Sequence, residues 1–136
     1  MKFADTGWWA AWTWPGDARH PDATRLLSSL QPREQLLTTN FVAGETWTLL
    51  RARDRHETAV MFRNRIEALA SADRLILHRV SADQEAAAWE WLRRHDERVY
   101  SFVDATSFQV MRDRRLREAL AFDSDFAAAG FVEVRA

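Results

Sequence analysis

The segment from residue 101 to residue 108 reads Ser101-Phe102-Val103-Asp104-Ala105-Thr106-Ser107-Phe108. A helix that starts here places Asp104 on the same face as Ser107 and Phe108, because positions i, i+3 and i+4 align along a helix. A carboxylate among core side chains is costly unless it is neutralised, hydrogen-bonded or bound to a metal. Asp104 therefore indicates either a helix cap or a functional site.

Three further acidic residues lie beside apolar runs. Asp5 and Asp123 each follow one, and Glu45 interrupts the apolar face of a predicted helix. Each acid alone has an ordinary structural explanation: Asp5 caps a helix, and Glu45 forms an ion pair with Arg65. Asp123 alone is explained by the start of a turn. Taken together with Asp104, these acids favour one shared acidic pocket.

Length and composition restrict the class of protein. A chain of 136 residues, 47% of them hydrophobic and 29% charged, is expected to form a single globular domain over residues 1–136. No run approaches about 18 consecutive apolar residues and no signal-peptide pattern is present, so we expect a cytoplasmic protein without a membrane segment. The absence of cysteine excludes disulfides, cysteine nucleophiles and thiolate metal sites.

Short apolar runs alternate with amphipathic helical patterns along the chain. The predicted strands cover residues 2–5, 36–38, 75–80, 119–122 and 131–134. The predicted helices cover a short segment ending before Pro15, then residues 22–30, 40–53, 56–70, a segment opened by the capping box Ser81 to Gln84, residues 101–114 and a turn over 126–130. This order is typical of an α/β fold with a mostly parallel central sheet of about five short strands, flanked by helices on both faces. Ligands bind such sheets at the carboxyl ends of the strands, where Asp5 and Asp123 lie.

The acidic pocket suggests a particular chemistry. Carboxylates in one pocket repel one another, by about 4 kcal/mol per pair at about 4 Å with an effective dielectric constant of about 20. A bound hard cation is the usual reason for such a cluster, and oxygen ligands without histidine or cysteine favour Mg²⁺ or Mn²⁺ over zinc. Such an ion activates water and binds phosphodiester oxygens, so we predict metal-assisted phosphodiester hydrolysis.

Other phosphate chemistries lack their signatures. No GxxxxGK[ST] motif is present, and the only lysine, Lys2, is misplaced for a P-loop or a phospho-receiver domain. The four histidines have no metalloprotease spacing, and no serine lies in GxSxG. The densest basic cluster, residues 112–117, is either a solvated helix end or an RNA-backbone contact with Arg112 and Arg115 as candidates.

The segment after Asp5 is rich in tryptophan. Four of them lie within seven residues, at Trp8, Trp9, Trp12 and Trp14. We expect one or two to pack in the core. A short helix cannot bury all four, so we expect the others to contact a partner protein or a second copy of the chain.

The ordered set of motifs resembles the PIN-domain ribonucleases of the VapC type, the toxins of bacterial type II toxin–antitoxin pairs. The matching segments cover nearly the whole chain and read Phe3-Ala4-Asp5-Thr6, Thr38-Thr39-Asn40-Phe41-Val42-Ala43-Gly44-Glu45-Thr46, Tyr100 to Phe108, and Ala121-Phe122-Asp123-Ser124-Asp125-Phe126. The resemblance implies a Mg²⁺-dependent endoribonuclease that hydrolyses RNA phosphodiester bonds. It also implies a homodimer and a cognate antitoxin that neutralises the enzyme by covering its active site.

Carried over by position, the resemblance implies catalytic roles for the four acids. Asp5 and Asp104 correspond to the principal metal ligands, and Glu45 and Asp123 to side chains that hold metal-bound waters. Thr106 is implied to orient a ligand through a hydrogen bond.

Two positions depart from the family pattern. Gly7 stands where many relatives have a small polar residue, and Val99 stands where an additional aspartate is common. Two other functions stay open: an interaction module with the PIN fold that cleaves nothing, and a structure-specific DNA nuclease with the same acidic metal site. The presence of all four acids argues against the first, and the small size of the chain argues against the second.

Overall fold

A computed structural model describes residues 1–135 of the chain. Numbered in chain order, the elements are β1 (Lys2–Ala4), α1 (Thr6–Thr13), α2 (His20–Ser29), β2 (Leu36–Thr39), α3 (Asn40–Arg53), α4 (His56–Ser71), β3 (Leu75–His78), α5 (Ala82–Arg94), α6 (Phe102–Asp113), β4 (Glu118–Leu120), α7 (Asp125–Ala128) and β5 (Val132–Glu133). Within these residues, none of the helices is both long and apolar enough to span a membrane.

The strands of the described chain form one parallel sheet in the order β3-β2-β1-β4-β5. The predicted α/β fold with a parallel sheet of five short strands is therefore confirmed. In the central strand β1, Phe3 pairs with Leu37 of β2 on one side and with Ala119 of β4 on the other. Because parallel strands end at the same edge, the residues that follow β1 and β4 are neighbours in space although they are far apart in sequence.

Aromatic packing fixes α6 and α7 against the central strand. The Phe126 ring centroid lies 5.9 Å from that of Phe3 and 4.9 Å from that of Phe108. All three side chains are 0% exposed, and burying one such ring stabilises the fold by about 1.5–3 kcal/mol. The start of α6, which carries Asp104, is thereby held near the end of β1.

The tryptophan-rich segment belongs mainly to the core. Trp8 and Trp9 are 0% exposed, which confirms that two of the four pack inside. Trp12 is half-buried, stacks on Trp8 with ring centroids 5.7 Å apart, and contacts the Arg65 guanidinium at 4.9 Å. Trp14 is also half-buried against the core. Direct contact with a partner protein is therefore excluded for Trp8 and Trp9.

Four strands, β1, β3, β4 and β5, are shorter than the sequence pattern predicts, and two of these differences have a clear cause. β3 ends at His78 rather than Val80, because the Val80 amide donates to Asn40 Oδ1 at 2.9 Å instead of to a neighbouring strand. β4 ends at Leu120 rather than Phe122, and the next carbonyl, that of Ala121, accepts a hydrogen bond from Arg135. The chain thus leaves the sheet early and turns toward the acidic residues.

Candidate metal centre

Asp5 lies directly after β1, where the chain turns into α1. Its amide donates to the Leu120 carbonyl at 3.1 Å, which ties the end of β1 to β4. The side chain is 3% exposed and receives no hydrogen bond from any other side chain of residues 1–135. Burial, followed by the charges of Asp123 and Asp104, raises the pKa of the Asp5 carboxyl well above its usual value.

Asp104 is the third residue of α6 and belongs to its capping box. Its Oδ2 accepts a hydrogen bond from the Ser101 amide at 3.1 Å, and Ser101 Oγ accepts one from the Asp104 amide at 2.9 Å. The helix-cap explanation offered from the sequence is therefore correct, and it does not exclude the functional one, because Oδ1 is left free by the cap. Burial is the main cause that raises the pKa of Asp104 to about 6.

Asp123 lies in the turn between β4 and α7. Its Oδ1 accepts a hydrogen bond from the Asp125 amide at 3.0 Å, so the residue does begin a turn, as one reading of the sequence predicts. Burial first, and then the charges of Asp125 and Glu133, raise the pKa of Asp123 to about 6.

The turn that carries Asp123 is held from two sides. The buried carboxylate of Glu133, on β5, accepts hydrogen bonds from the amides of Ser124 and Ala127 at 3.3 and 3.0 Å. Ser124 has a φ of +70°, a left-handed conformation that these bonds stabilise. From the other side, Arg98 donates to the Asp123 carbonyl at 3.1 Å and to Asp125 Oδ1 at 2.6 Å.

Three of the acids converge on one point. One carboxylate oxygen each from Asp5, Asp104 and Asp123 lies within 4.8 Å of the others. These three and Glu45 line a cavity of about 390 Å³. None of the four takes part in an ion pair within the described part of the chain. No arginine or lysine of the described chain therefore pairs with these acids, and the cluster of Asp5, Asp104 and Asp123 could hold a metal ion.

Glu45 reaches the cavity from α3. Its Oε1 accepts a hydrogen bond from Thr6 Oγ1 at 2.7 Å. The ion pair with Arg65 considered from the sequence is wrong, since Arg65 Nη1 donates to the Trp12 carbonyl at 3.3 Å. From the sequence, no role is assigned to Thr6. The only feature of the sequence that indicates a role for Thr6 at the site is its position directly after Asp5.

Thr106 does not reach the cavity. It is 0% exposed, and its hydroxyl donates to the Val103 carbonyl at 2.8 Å. Two residues of helix turn the side-chain direction by about 200°, so Thr106 points away from the side on which Asp104 meets the other acids. The structure gives this hydroxyl a helical partner in place of the ligand expected from the resemblance.

Arg112 and Arg115 lie at the other end of the molecule from the acids. At about 1.5 Å per residue, Arg112 is about 12 Å along α6 from Asp104, and Arg115 precedes β4 at the amino edge of the sheet. The Arg112 guanidinium lies 5.9 Å from the Trp91 ring centroid. Two other arginines lie at the acids: Arg53 lines the cavity, and Arg98 donates to Asp125, which also lines it.

The donor set fits a hard divalent cation. Asp5 is buried without a side-chain partner, and Asp104 and Asp123 supply further carboxylate oxygens at the same point. Among the described residues, no histidine lies in this cluster, and the chain has no cysteine. Oxygen-only sites suit Mg²⁺ and Mn²⁺.

The chain is similar to proteins of known type. The profile of the PIN domain family matches residues 2–132. The 23S rRNA-specific endonuclease VapC20 of Mycobacterium tuberculosis, from strains CDC 1551 and H37Rv, is 53% identical over 135 residues, which are 99% of this chain and 98% of that protein. A crystal structure of M. tuberculosis VapC20, described as a sarcin–ricin loop cleaving toxin, matches with a TM-score of 0.91 and 51% identity over 100% of both chains.

Proposed function

This chain belongs to the PIN domain family, and from that premise we propose that it is a Mg²⁺-dependent endoribonuclease toxin that cuts 23S rRNA. The predicted family is confirmed, and the endoribonuclease class agrees with the activity for which the relatives are named. The convergence of carboxylate oxygens from Asp5, Asp104 and Asp123 within 4.8 Å is the observation that carries the proposal.

Each acid has a proposed role. Asp5 and Asp104 bind the cation, and Glu45 and Asp123 accept hydrogen bonds from water at the same site. When bound, the divalent cation lowers the pKa of the attacking water and stabilises charge on the phosphodiester oxygens. Thr6 fixes the Glu45 carboxylate, and Arg53 provides a positive charge in the lining of the cavity for the RNA backbone. Mn²⁺ is the alternative cation.

We propose the sarcin–ricin loop of 23S rRNA as the target. The 53% identity extends over 99% of the chain, and the TM-score of 0.91 extends over all of it. No part of the fold is therefore missing relative to a protein described as cleaving that loop. Because ribosomal RNA is the substrate, we place the activity in the cytoplasm.

A protein partner is proposed for each of two surfaces. A cognate antitoxin would cover the acid cavity and neutralise the enzyme, as the family implies. A second copy of the chain would cover an open groove of about 690 Å³, lined by residues that include Phe41, Gly44 and Phe102. Trp89, which is 52% exposed, stacks on Phe102 at 4.3 Å beside this groove. The groove is lined mainly by apolar side chains, and homodimer interfaces are more hydrophobic than other interfaces.

Gly44 belongs to this second surface. Outside its own helix, nothing in the described structure lies within 4 Å of a Cβ placed on Gly44. Space is therefore available for a partner side chain.

Cleavage of bacterial ribosomes and of purified 23S rRNA tests the proposed activity. We expect one main cut with Mg²⁺, and none with EDTA or with the Asp5→Asn variant. Cuts at many scattered positions would contradict the sarcin–ricin loop as the target, but they would still support an endoribonuclease. Cleavage of a DNA hairpin alone would favour a DNA nuclease, and no cleavage by folded protein free of antitoxin would favour an inactive interaction module.

A further inference from the structure

A second, basic cavity lies beside the acid cavity. It has a volume of about 140 Å³ and is lined by Arg19, Asp22, Arg25, Leu26, Phe122 and Arg135. We call it the arginine cavity. Its arginines come from α2, from the residue preceding that helix, and from the segment after β5. Three cations and one carboxylate line this small space, so its electrostatic potential favours an anion.

Of the three arginines that line this cavity, Arg19 has the most unused hydrogen-bonding capacity. Its guanidinium lies 5.1 Å from the Phe122 ring centroid, which orients it by a cation–π contact. Within residues 1–135 it takes part in no ion pair, and its side chain donates no hydrogen bond. Its planar donors are therefore available to grip a phosphate through two oxygens at once.

The two other arginines are only partly occupied. Arg25 pairs with Asp22 at an exposed site, where such a pair is worth about 0–1 kcal/mol and yields readily to another anion. Arg135 donates to the Ala121 carbonyl at 3.1 Å and to Glu133 at 3.2 Å, and its side chain is 58% exposed. A guanidinium has five N–H donors, so each of these residues retains donors that face solvent.

Two connections join the arginine cavity to the acid cavity. Phe122, which lines the first, directly precedes Asp123, which lines the second. Asp17 lines the acid cavity, and its Oδ1 accepts a hydrogen bond from the amide of Arg19 at 2.8 Å. These links place Phe122 and Arg19 one or two residues along the chain from side chains of the acid cavity, within reach of an RNA strand whose scissile phosphate lies at the acids.

We infer that the arginine cavity binds backbone phosphates of the substrate RNA next to the scissile bond, with Arg19 and Arg25 as the principal contacts. This inference rests on the proposed endoribonuclease function. An acidic protein segment is the competing occupant, but the linkage of Phe122 to Asp123 and of Arg19 to Asp17, both of which line the acid cavity, favours RNA. These contacts are to the RNA backbone and not to the bases. They therefore determine the binding affinity and the direction of the RNA strand.

Salt-dependent RNA binding tests this inference. In an Asp5→Asn background that leaves RNA intact, binding of a sarcin–ricin loop hairpin is measured by fluorescence anisotropy between about 50 and 200 mM salt. We compare Arg19→Gln/Arg25→Gln with Arg33→Gln/Arg63→Gln. The control pair removes the same charge from two exposed positions, one that precedes β2 and one on α4, where Arg63 pairs with Glu67 much as Arg25 pairs with Asp22.

For the Arg19→Gln/Arg25→Gln variant, we expect affinity to fall by about tenfold or more at about 0.1 M salt. The slope of log K against log salt should become shallower by about 1.4, since each lost phosphate contact on single-stranded RNA accounts for about 0.7. The control pair should leave both quantities close to those of the parent. Arg19→Lys, which keeps the charge but loses the planar donors, should give an intermediate affinity.

Two results would overturn the inference: unchanged affinity and slope in the Arg19→Gln/Arg25→Gln variant, or an equal loss in the control pair, which would reveal an effect of net charge alone. Thermal unfolding of each variant verifies that it is folded. If the Arg19→Gln/Arg25→Gln variant does not fold, the affinity of Arg19→Lys is used for the test instead. Cleavage by the wild-type protein separates the two proposals. If it cuts RNA while the arginine variant binds normally, only the arginine cavity is rejected.

Discussion

Thr6 Oγ1 donates a hydrogen bond to Glu45 Oε1 over 2.7 Å, which links the start of α1 to the middle of α3. Glu45 has no cationic partner among the described residues, so this hydroxyl is what orients its carboxylate. Thr6→Val removes the hydroxyl and keeps the shape. We expect RNA cleavage to fall about tenfold, with a loss of about 1 kcal/mol or less in the free energy of unfolding.

Steady-state cleavage kinetics and urea unfolding measure these two effects. Thr6→Ser, which keeps a hydroxyl, should restore most of the activity. Equal activity in the valine and serine variants would show that Glu45 needs no such support.

Asp104→Asn should separate stability from catalysis. The amide oxygen can still accept from the Ser101 amide, so the helix cap is preserved while a buried carboxylate is removed. In EDTA at pH 7 we expect equal or higher stability and a loss of cleavage of about 100-fold or more. Asp104→Ala, which also loses the cap, should be about 1 kcal/mol less stable than Asp104→Asn. Marked destabilisation of Asp104→Asn would point to a structural role for the charge.

The pH dependence of stability follows from the same residue. Burial raises the pKa of Asp104 in the folded protein to about 6, well above the usual pKa of about 4 for an aspartate in an unfolded chain, so the folded protein binds more protons between these pH values. Its contribution to the free energy of unfolding is therefore lost as pH rises from about 4 to 7, by up to about 3 kcal/mol.

Urea unfolding of the metal-free wild type and of metal-free Asp104→Asn gives the free energy of unfolding of each protein at pH 5 and at pH 7. The contribution of Asp104 is the difference between the two proteins in how much this free energy changes with pH. Wild type should lose more stability on going to pH 7 than the variant. Parallel profiles for the two proteins would contradict the raised pKa.

Glu133 should matter for stability and for the position of Asp123. Glu133→Ala removes the buried carboxylate that accepts from the amides of Ser124 and Ala127, and losing two hydrogen bonds to a charged group costs about 2–3 kcal/mol in the free energy of unfolding. Displacement of the turn should also weaken Mn²⁺ binding, measured by calorimetry. Glu118→Ala removes the same charge from a half-exposed site on β4 and should change neither quantity.

Trp8 and Trp9 offer a comparison within one helix. Trp9 Nε1 donates to the Ala4 carbonyl and to Thr38 Oγ1, both at 3.2 Å, whereas the buried Trp8 Nε1 has no partner within the described chain. Both substitutions to phenylalanine remove similar volume. Trp9→Phe should therefore be the more destabilising, by about 1 kcal/mol in urea unfolding. The reverse order would show that packing alone distinguishes the two sites.

Much of the fold was predictable because its signals are local. The apolar alternation gave the strands and helices to within a few residues, and the capping box at Ser81 lies where the sequence places it. Strand order and parallel direction bring Asp5 and Asp123 to one edge, as expected for residues at carboxyl ends of strands. Two further roles stay predictions: Thr106, implied by the resemblance, donates to a backbone carbonyl, and Arg112, a candidate from the basic cluster, lies at the far end of α6 from Asp104.

The sequence by itself determined the elements, the parallel α/β class and the four acids, because periodicity and motif order are properties of neighbouring residues. Only the tertiary structure decided which distant side chains support those acids. With β1 between β2 and β4, Thr6 meets Glu45, Glu133 holds the turn of Asp123, and Arg19 covers Phe122. These contacts join residues separated by many positions along the chain, so no local pattern encodes them and the packing of the sheet and helices creates them.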